Sequence, residues 1–445
     1  MSRMEKMKME ATINKDQIPP ESEPPREEAS HSNNSNNHSS GNKSFGGKTC
    51  KECEHGINSK DNMCMSYTRR RVTKDMVITP DKEACEFFEE PILYGAAKAM
   101  FGTFRDNMQL AEEFQKHIPV WYDSFKNFWI WNPTKLCYEL KDSIDILHAI
   151  SKVTTVYAVD KKLSCEVLLG IQITGRGRAV KDVPQTWIHT KSGIIDIQMQ
   201  NNLRIPTPEY FLRNPIPHYI GKSTDTPTID KMFNDWVGED KVKLYEILAY
   251  CLLDDYPIHR MFLLFGSGRN GKSQFLELAS RFIGKDNTTS TELEKIMDSR
   301  FEASKLYRKK LALIGETNFA AIKSSDRIKK ITGHDMITAE YKGKDPFDFQ
   351  NTAKILIATN SIPETLDKTE AFHSRCIIIE FKNRFDEGKP IVDTIPESEY
   401  ENLLKKCLDM LPKILEAGRF TNEGTIEEKA KKYESLSDIW GTYFE

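Results

Sequence analysis

The stretch Gly266-Ser267-Gly268-Arg269-Asn270-Gly271-Lys272-Ser273 limits what this chain can fold into more than any other. The apolar run Met261 to Phe265 precedes it and Gln274-Phe275-Leu276-Glu277-Leu278 follows, so the order is buried strand, glycine loop, amphipathic helix. That context makes G-x-x-x-x-G-K-[ST] a phosphate cradle rather than a glycine-rich turn without a ligand. Gly266, Gly268 and Gly271 permit positive φ angles, which lets successive N–H groups and the helix N-terminus converge on a β-phosphate. Lys272 is expected to reach the β- and γ-phosphates, and the Ser273 hydroxyl to complete a Mg2+ shell. With Ser267, Arg269, Asn270 and Gln274 these residues form the expected nucleotide site, and ATP with Mg2+ is its expected content.

At 445 residues and 39% apolar content the chain has room for roughly two to three domains. Its apolar runs fall well short of the roughly twenty residues a membrane span needs, and Met1 to Ala11 is charged rather than signal-like. The expected setting is the cytoplasm of a prokaryotic or viral host cell, with no membrane partner. Net charge is only −3, so a nucleic-acid partner has to be held by a local basic surface.

Residues 1–48 are rich in Glu, Lys, Pro, Ser, Asn and Gly and read as a disordered tail, since they offer too little apolar surface to offset chain entropy. In residues 49–90 the pattern is C-x2-C-x10-C-x20-C, formed by Cys50, Cys53, Cys64 and Cys85. Four thiolates at such spacing can close a tetrahedral zinc site; an iron-sulfur cluster, a disulfide pair, unrelated thiols and substitution by His55 are the alternatives. Arg69, Arg70 and Arg71 lie inside this segment as a basic turn or a phosphate contact. The other five cysteines, Cys137, Cys165, Cys251, Cys376 and Cys407, sit among apolar neighbours and read as core thiols.

Residues 91–238 read as a smaller mixed helical domain. Leu93 to His117 and Lys141 to Ser151 read as helices, Ala158 to Thr174 as a mixture of strand and loop, and Trp187 to Ile197 as a hairpin. The dense aromatics Trp121, Tyr122, Phe125, Phe128, Trp129 and Trp131 suit a hydrophobic core better than a base-stacking platform. No paired-carboxylate strand motif of the kind a two-metal nucleotidyl transferase needs is visible. Glu239 to Leu253 reads as a helix with one buried face and opens the segment 239–390.

Beyond the loop, Lys310-Leu-Ala-Leu-Ile-Gly-Glu316 reads as a second buried strand ending in an acid, which either holds Mg2+ or orients the attacking water. A third strand, Lys354 to Asn360, ends in an amide able to polarise that water or sense the γ-phosphate. Between them Thr338 to Phe349 reads as a hairpin with Gly343 at the turn and Lys342 and Lys344 at its tip, where they can grip successive phosphates of one strand.

Four motifs in tight order, namely the loop at Gly266 to Ser273, the strand ending at Glu316, the Lys330-Ile-Thr-Gly-His-Asp335 segment running into the Lys342 to Lys344 hairpin, and the strand ending at Asn360, resemble the superfamily 3 helicases. The likeness is to the branch found in primase-helicases of phages, poxviruses and mobile plasmids, and it extends upstream through Trp187 to Leu253. It implies an α/β P-loop motor of AAA+-like type, a homohexameric ring, single-stranded DNA in the central channel and ATP sites between subunits. Arg375, just before the strand Cys376 to Phe381, matches the family's finger to a neighbour's γ-phosphate, with Arg384 in reserve. Residues 391–445 are expected to be a helical extension.

The chain departs from the family pattern in three ways. One acid, Glu316, stands where many members carry two; one arginine, Arg375, stands where a pair is common; and the sequence stops near where relatives continue into a winged helix. A DNA helicase for replication of a virus or mobile element, lacking its own primase module and working with a separate primase or polymerase, is therefore expected. The alternatives are a P-loop ATPase that loads or remodels replication proteins, and a non-catalytic origin-binding module.

Overall fold

The computed structural model describes residues 57–58, 63–64, 107–153, 161–199, 203–315, 325–386 and 390–437. Contacts divide the chain into two units, Met1–Phe88 and Glu89–Glu445. In the first unit β1 (Ile57–Asn58) pairs antiparallel with β2 (Met63–Cys64). Cys50, Cys53, His55, Arg69, Arg70, Arg71 and Cys85 lie outside the described residues, as does the tail 1–48.

The described part of the second unit opens with α1 (Asn107–His117) and an antiparallel meander of β3 (Val120–Tyr122), β4 (Phe128–Asn132) and β5 (Cys137–Lys141), followed by α2 (Ser143–Val153) and α3 (Lys161–Arg176). Strand alternation sorts the aromatic stretch. Val120, Phe128 and Ile130 pack with Ile146 and Val167 of the helices, whereas Trp129, Trp131 and Tyr138 face the other way onto Phe211 and Leu212. The aromatics thus serve as core, with Trp121, Tyr122 and Phe125 half-buried.

Two expectations are corrected in α3. Of the segment expected to mix strand and loop, the described residues 161–174 are one helix, and Cys165 is an exposed thiol on it rather than a core one. Gly170 and the β-branched Ile171, Ile173 and Thr174 argue locally against a helix. Packing overrides them, because α3 crosses α1 so closely that a Cβ at Gly170 would lie 3.0 Å from the Asn107 carbonyl oxygen. Val167, Gly170 and Ile171 form the buried stripe, which leaves Cys165 on the opposite face.

A hairpin of β6 (Trp187–Thr190) and β7 (Gly193–Asp196), joined by β8 (Leu203–Arg204), leads to α4 (Pro227–Val237) and α5 (Lys241–Tyr250). His189 of β6 is 8% exposed, and its Nδ1 has no hydrogen-bond partner. Burial, aided by the Lys310 charge, pushes the ring down to about 4 from its ordinary 6.5. Between pH 6.5 and 4 the unfolded chain therefore binds a proton that the folded chain refuses, so this contribution to stability is full above 6.5 and lost as pH falls through 4. Relative to His189→Leu, the wild type should lose about 3 kcal/mol between pH 7 and 4. Denaturant titrations at both pH values check this; parallel losses in the two proteins would remove His189 as the cause.

The remaining strands are β9 (Met261–Phe265), β10 (Thr288–Thr291), β11 (Leu311–Ile314), β14 (Lys354–Thr359) and β15 (Cys376–Glu380), with the hairpin β12 (Met336–Ala339) and β13 (Phe347–Gln350) inserted before β14. They form a parallel sheet in the order β10-β11-β14-β9-β15. Both faces are covered, which explains the near-continuous apolar runs. Phe262, Leu264, Leu356, Ile377 and Ile379 pack with α4, α5, α6 (Lys272–Ile283) and α11 (Glu397–Ala417). Their strand neighbours Met261, Leu263, Ile355, Ile357 and Ile378 pack on the other face with the hairpin and the short helices α7 (Leu293–Asp298), α8 (Arg300–Ala303), α9 (Asp326–Ile331) and α10 (Glu370–His373). The last helix, α12 (Ile426–Ser437), seals this side with Tyr433. The fold is α/β, as the sequence implies, and its core sheet is parallel; no described helix is long and apolar enough to cross a membrane.

Two lysines at the N-terminal edge of the sheet are buried. Lys310 Nζ donates to the Leu252 carbonyl and to Asp254, both at 2.8 Å, and Lys354 Nζ donates to the carbonyls of Leu253 (2.5 Å) and Asp255 (2.7 Å). They satisfy carbonyls just past the end of α5 and so tie that segment to the sheet. Burial pushes the Lys354 amine down to about 7.

Candidate nucleotide-binding site

The loop between β9 and α6 turns through φ values of 100° at Gly268, 50° at Arg269 and 95° at Gly271. Gly271 has a second reason to be glycine, because a Cβ there would lie 2.5 Å from the Trp236 ring. Lys272 is 3% exposed, and its Nζ donates to the Gly266 carbonyl (2.6 Å), to Asn270 Oδ1 (3.0 Å) and to Asn360 Oδ1 (2.9 Å). Asn270 Nδ2 in turn donates to the Phe381 carbonyl at 2.9 Å. The amine therefore joins the loop to the end of β14, whose Thr359 is in register with Phe265 of β9.

A cleft of about 450 Å3 opens beside the loop, walled by Met232, Trp236, Phe385 and Ile391 as well as by the loop residues Arg269 to Gln274. Ser273 is exposed in it at the start of α6. The apolar wall is held from a distance. The Glu399 carboxylate of α11 accepts from the backbone N–H groups of Thr228 (3.0 Å) and Ile229 (3.1 Å), capping the N-terminus of α4 that carries Trp236. The segment after β15 is tied in too, since Asn383 Nδ2 donates to the Asp235 carbonyl (2.7 Å) and Phe385 N to the Arg269 carbonyl (2.8 Å). A phosphate cradle beside a half-apolar cleft suits a nucleoside polyphosphate: backbone N–H groups and an amine for the phosphates, rings for the base.

The other sequence-derived candidates fall in different places. Glu316 lies outside the described residues; Gly315, which precedes it, follows the end of β11 on the loop's side of the sheet. Arg375 lies at the opposite edge, because Cys376 is in register with Met261 and the loop begins only after Phe265. That separation is roughly 16 Å of strand. Its Nε donates to Thr332 Oγ1 (3.0 Å) and Nη1 to the Ala371 carbonyl (2.5 Å). Arg384 is exposed on the loop's own side, next to Phe385 of the cleft. Gly343 sits at the hairpin tip with φ 79°; Lys342 and Lys344 flank it, exposed, and Lys344 Nζ donates to Asn127 Oδ1 at 2.9 Å. Cys64 is on β2, whereas its three expected co-ligands are outside the described residues.

Residues 264–375 match DUF5906, a family of unknown function. That interval runs from the end of β9 to the residue before β15, and so holds the loop, the hairpin and Asn360. Among solved structures the chain is similar to three described as apo structures of the NrS-1 C terminal region. Two in the A form have TM-scores of 0.46 and 0.49 at 13% and 14% identity, covering 75% of this chain and 75% and 76% of theirs. The third has 0.47 at 13%, with 76% of each chain covered.

Nothing local in the sequence marks Trp236, Asn383 or Phe385 as parts of this site. They come from a helix thirty residues upstream and a segment more than a hundred downstream of the loop, and only their packing on it assigns them.

Proposed function

We propose that this chain is an ATP-driven DNA motor, a helicase acting in replication of a virus or mobile element. The observation that carries the reading is the buried Lys272 amine shared by Gly266, Asn270 and Asn360. Such an amine is poised to exchange the Asn360 amide for a γ-phosphate, and so to couple the nucleotide's state to β14 and to the hairpin that precedes it. Ser273 and Glu316 would hold Mg2+, which supplies charge neutralisation at the transferred phosphoryl group. Asn360, released from Lys272, can orient the attacking water.

Assembly into a ring is part of the proposal. Arg375 is an edge of the sheet away from its own loop, so it can meet a bound nucleotide only when it belongs to another copy, as a finger in a homohexamer would. Single-stranded DNA in the channel would run past Lys342 and Lys344, and a separate primase or polymerase would act with the motor.

ATPase rates measured with and without single-stranded DNA at several protein concentrations test this. Stimulation by DNA that grows with concentration is the expected result. Hydrolysis indifferent to DNA would replace the helicase by an ATPase that loads or remodels replication proteins, and absence of hydrolysis would leave a binding module. Zinc held by Cys50, Cys53, Cys64 and Cys85 is proposed on spacing alone; the metal content of the same preparation decides it, and a zinc-free protein of full activity would refute it.

A further inference from the structure

The lysines of the hairpin have a neighbour on another element. The turn between β3 and β4 is built by Asp123, which is 2% exposed. Its carboxylate accepts from the backbone N–H groups of Phe125 and Asn127 (both 2.9 Å), from Asn127 Nδ2 (3.2 Å) and from Trp129 Nε1 (2.8 Å). The turn so formed holds Lys126 at φ 63° and sets it against the hairpin tip. Phe125 packs its ring 5.9 Å from that of Tyr307 and 5.0 Å from that of Phe347, Lys344 donates to Asn127, and Lys126 pairs with Asp345 at 2.7 Å. Between turn and tip lies a cleft of about 260 Å3 lined by Phe125, Lys126, Tyr341, Lys344, Asp345 and Phe347.

We propose that this cleft is a binding site for single-stranded nucleic acid, in which Lys126 and Lys344 take backbone phosphate and the ring-lined wall takes a base. The proposal deepens the DNA reading of Lys342 and Lys344 and rests on it. Two lysines, Lys126 and Lys344, line the cleft with a single acid, Asp345, and Lys342 is exposed beside it on the hairpin tip. The Lys126–Asp345 pair is exposed at both ends, 67% and 82%, so it is weak and easily exchanged for a phosphate. Lys344 has a neutral amide and the Tyr341 ring for partners, at 2.9 and 5.5 Å, and forms no ion pair among the described residues. Cations interleaved with aromatic rings are what a flexible strand with π-faced bases recognises, whereas a duplex hides its bases.

The alternative is that Lys126 merely clamps the hairpin, and the two readings differ in sign. If Lys126 takes phosphate, Lys126→Ala should raise the Kd for a fluorescent oligo(dT) about tenfold and flatten its salt dependence by about 0.7 in log-log slope, while Asp345→Asn should lower Kd a few-fold by freeing the lysine. A clamp loses the same ion pair in both variants and predicts weakening in both; that result would overturn the proposal. Binding unaffected by Lys126→Ala but weakened by Lys342→Ala would also overturn it and leave the hairpin reading intact. If neither lysine matters, both readings fall together. Equal loss of affinity for a duplex of the same length would exclude the single-strand preference.

Discussion

Hydrolysis of ATP by a Lys272→Ala variant should fall about a thousandfold, the effect of removing roughly 4 kcal/mol of transition-state stabilisation from a water-excluded site. The size follows from where the amine is. At 3% exposure it has little competing solvent, and its acceptors among the described residues, Gly266, Asn270 and Asn360, fix it between the loop and β14 before any ligand arrives. Preorganised charge of this kind costs no rearrangement when the phosphoryl group transfers. The same change leaves the Gly266 carbonyl and the Asn270 side-chain oxygen without this donor, so the variant should also be about 1–3 kcal/mol less stable. Steady-state ATPase assays and thermal melts read the two effects separately. A variant retaining a tenth of wild-type turnover would mean that Lys272 is a structural bridge and that the reaction, if any, occurs elsewhere.

Gly271→Ala should weaken ATP binding about a hundredfold or more. Two costs meet at that one atom. Left-handed backbone at φ 95° disfavours any Cβ by roughly 1–2 kcal/mol. The new methyl would also sit 2.5 Å from Trp236, which is buried against Phe275 and Phe381 and cannot step aside freely; overpacking of this kind costs about 1–3 kcal/mol. The loop is the softer partner, so it should open and carry its N–H groups off the phosphates. Titration calorimetry with ATP measures the loss. Added to Trp236→Ala, which itself removes part of the cleft wall, Gly271→Ala should cost less than it does in the wild type, because only the backbone term remains. Unchanged affinity in the single variant would show that the nucleotide does not rest on this loop.

Both experiments concern residues whose roles could be proposed from spacing alone, and the reason is local. A strand, three glycines, a lysine and an amphipathic helix in sequence leave the backbone few alternatives, and neighbouring residues stay neighbours after folding. The β6–β7 and β12–β13 hairpins were legible for the same reason, since alternation around a turn is a short-range property. The buried strands of the core were legible as short apolar runs, whereas their parallel pairing and order were not. The helix α3 was not legible, because Gly170 and its β-branched neighbours are unfavourable there until α1 lies across them. Cys165 went with it: its exposure depends on which stripe of an unforeseen helix is buried.

Sequence by itself determined the glycine loop between β9 and α6, the α/β fold class and the hairpin carrying Lys342 and Lys344, since short-range patterns of apolar runs, glycines and turns write each of them. Tertiary structure alone decided that Trp236 and Phe385 wall the cleft, that Arg375 stands at the far edge from its own loop, that Lys310 and Lys354 are buried, and that the Asp123 turn meets the hairpin tip. Each of these joins residues from tens to more than two hundred positions apart. Such meetings are set by the strand order β10-β11-β14-β9-β15 and by packing across the sheet's two faces, and no local propensity encodes them.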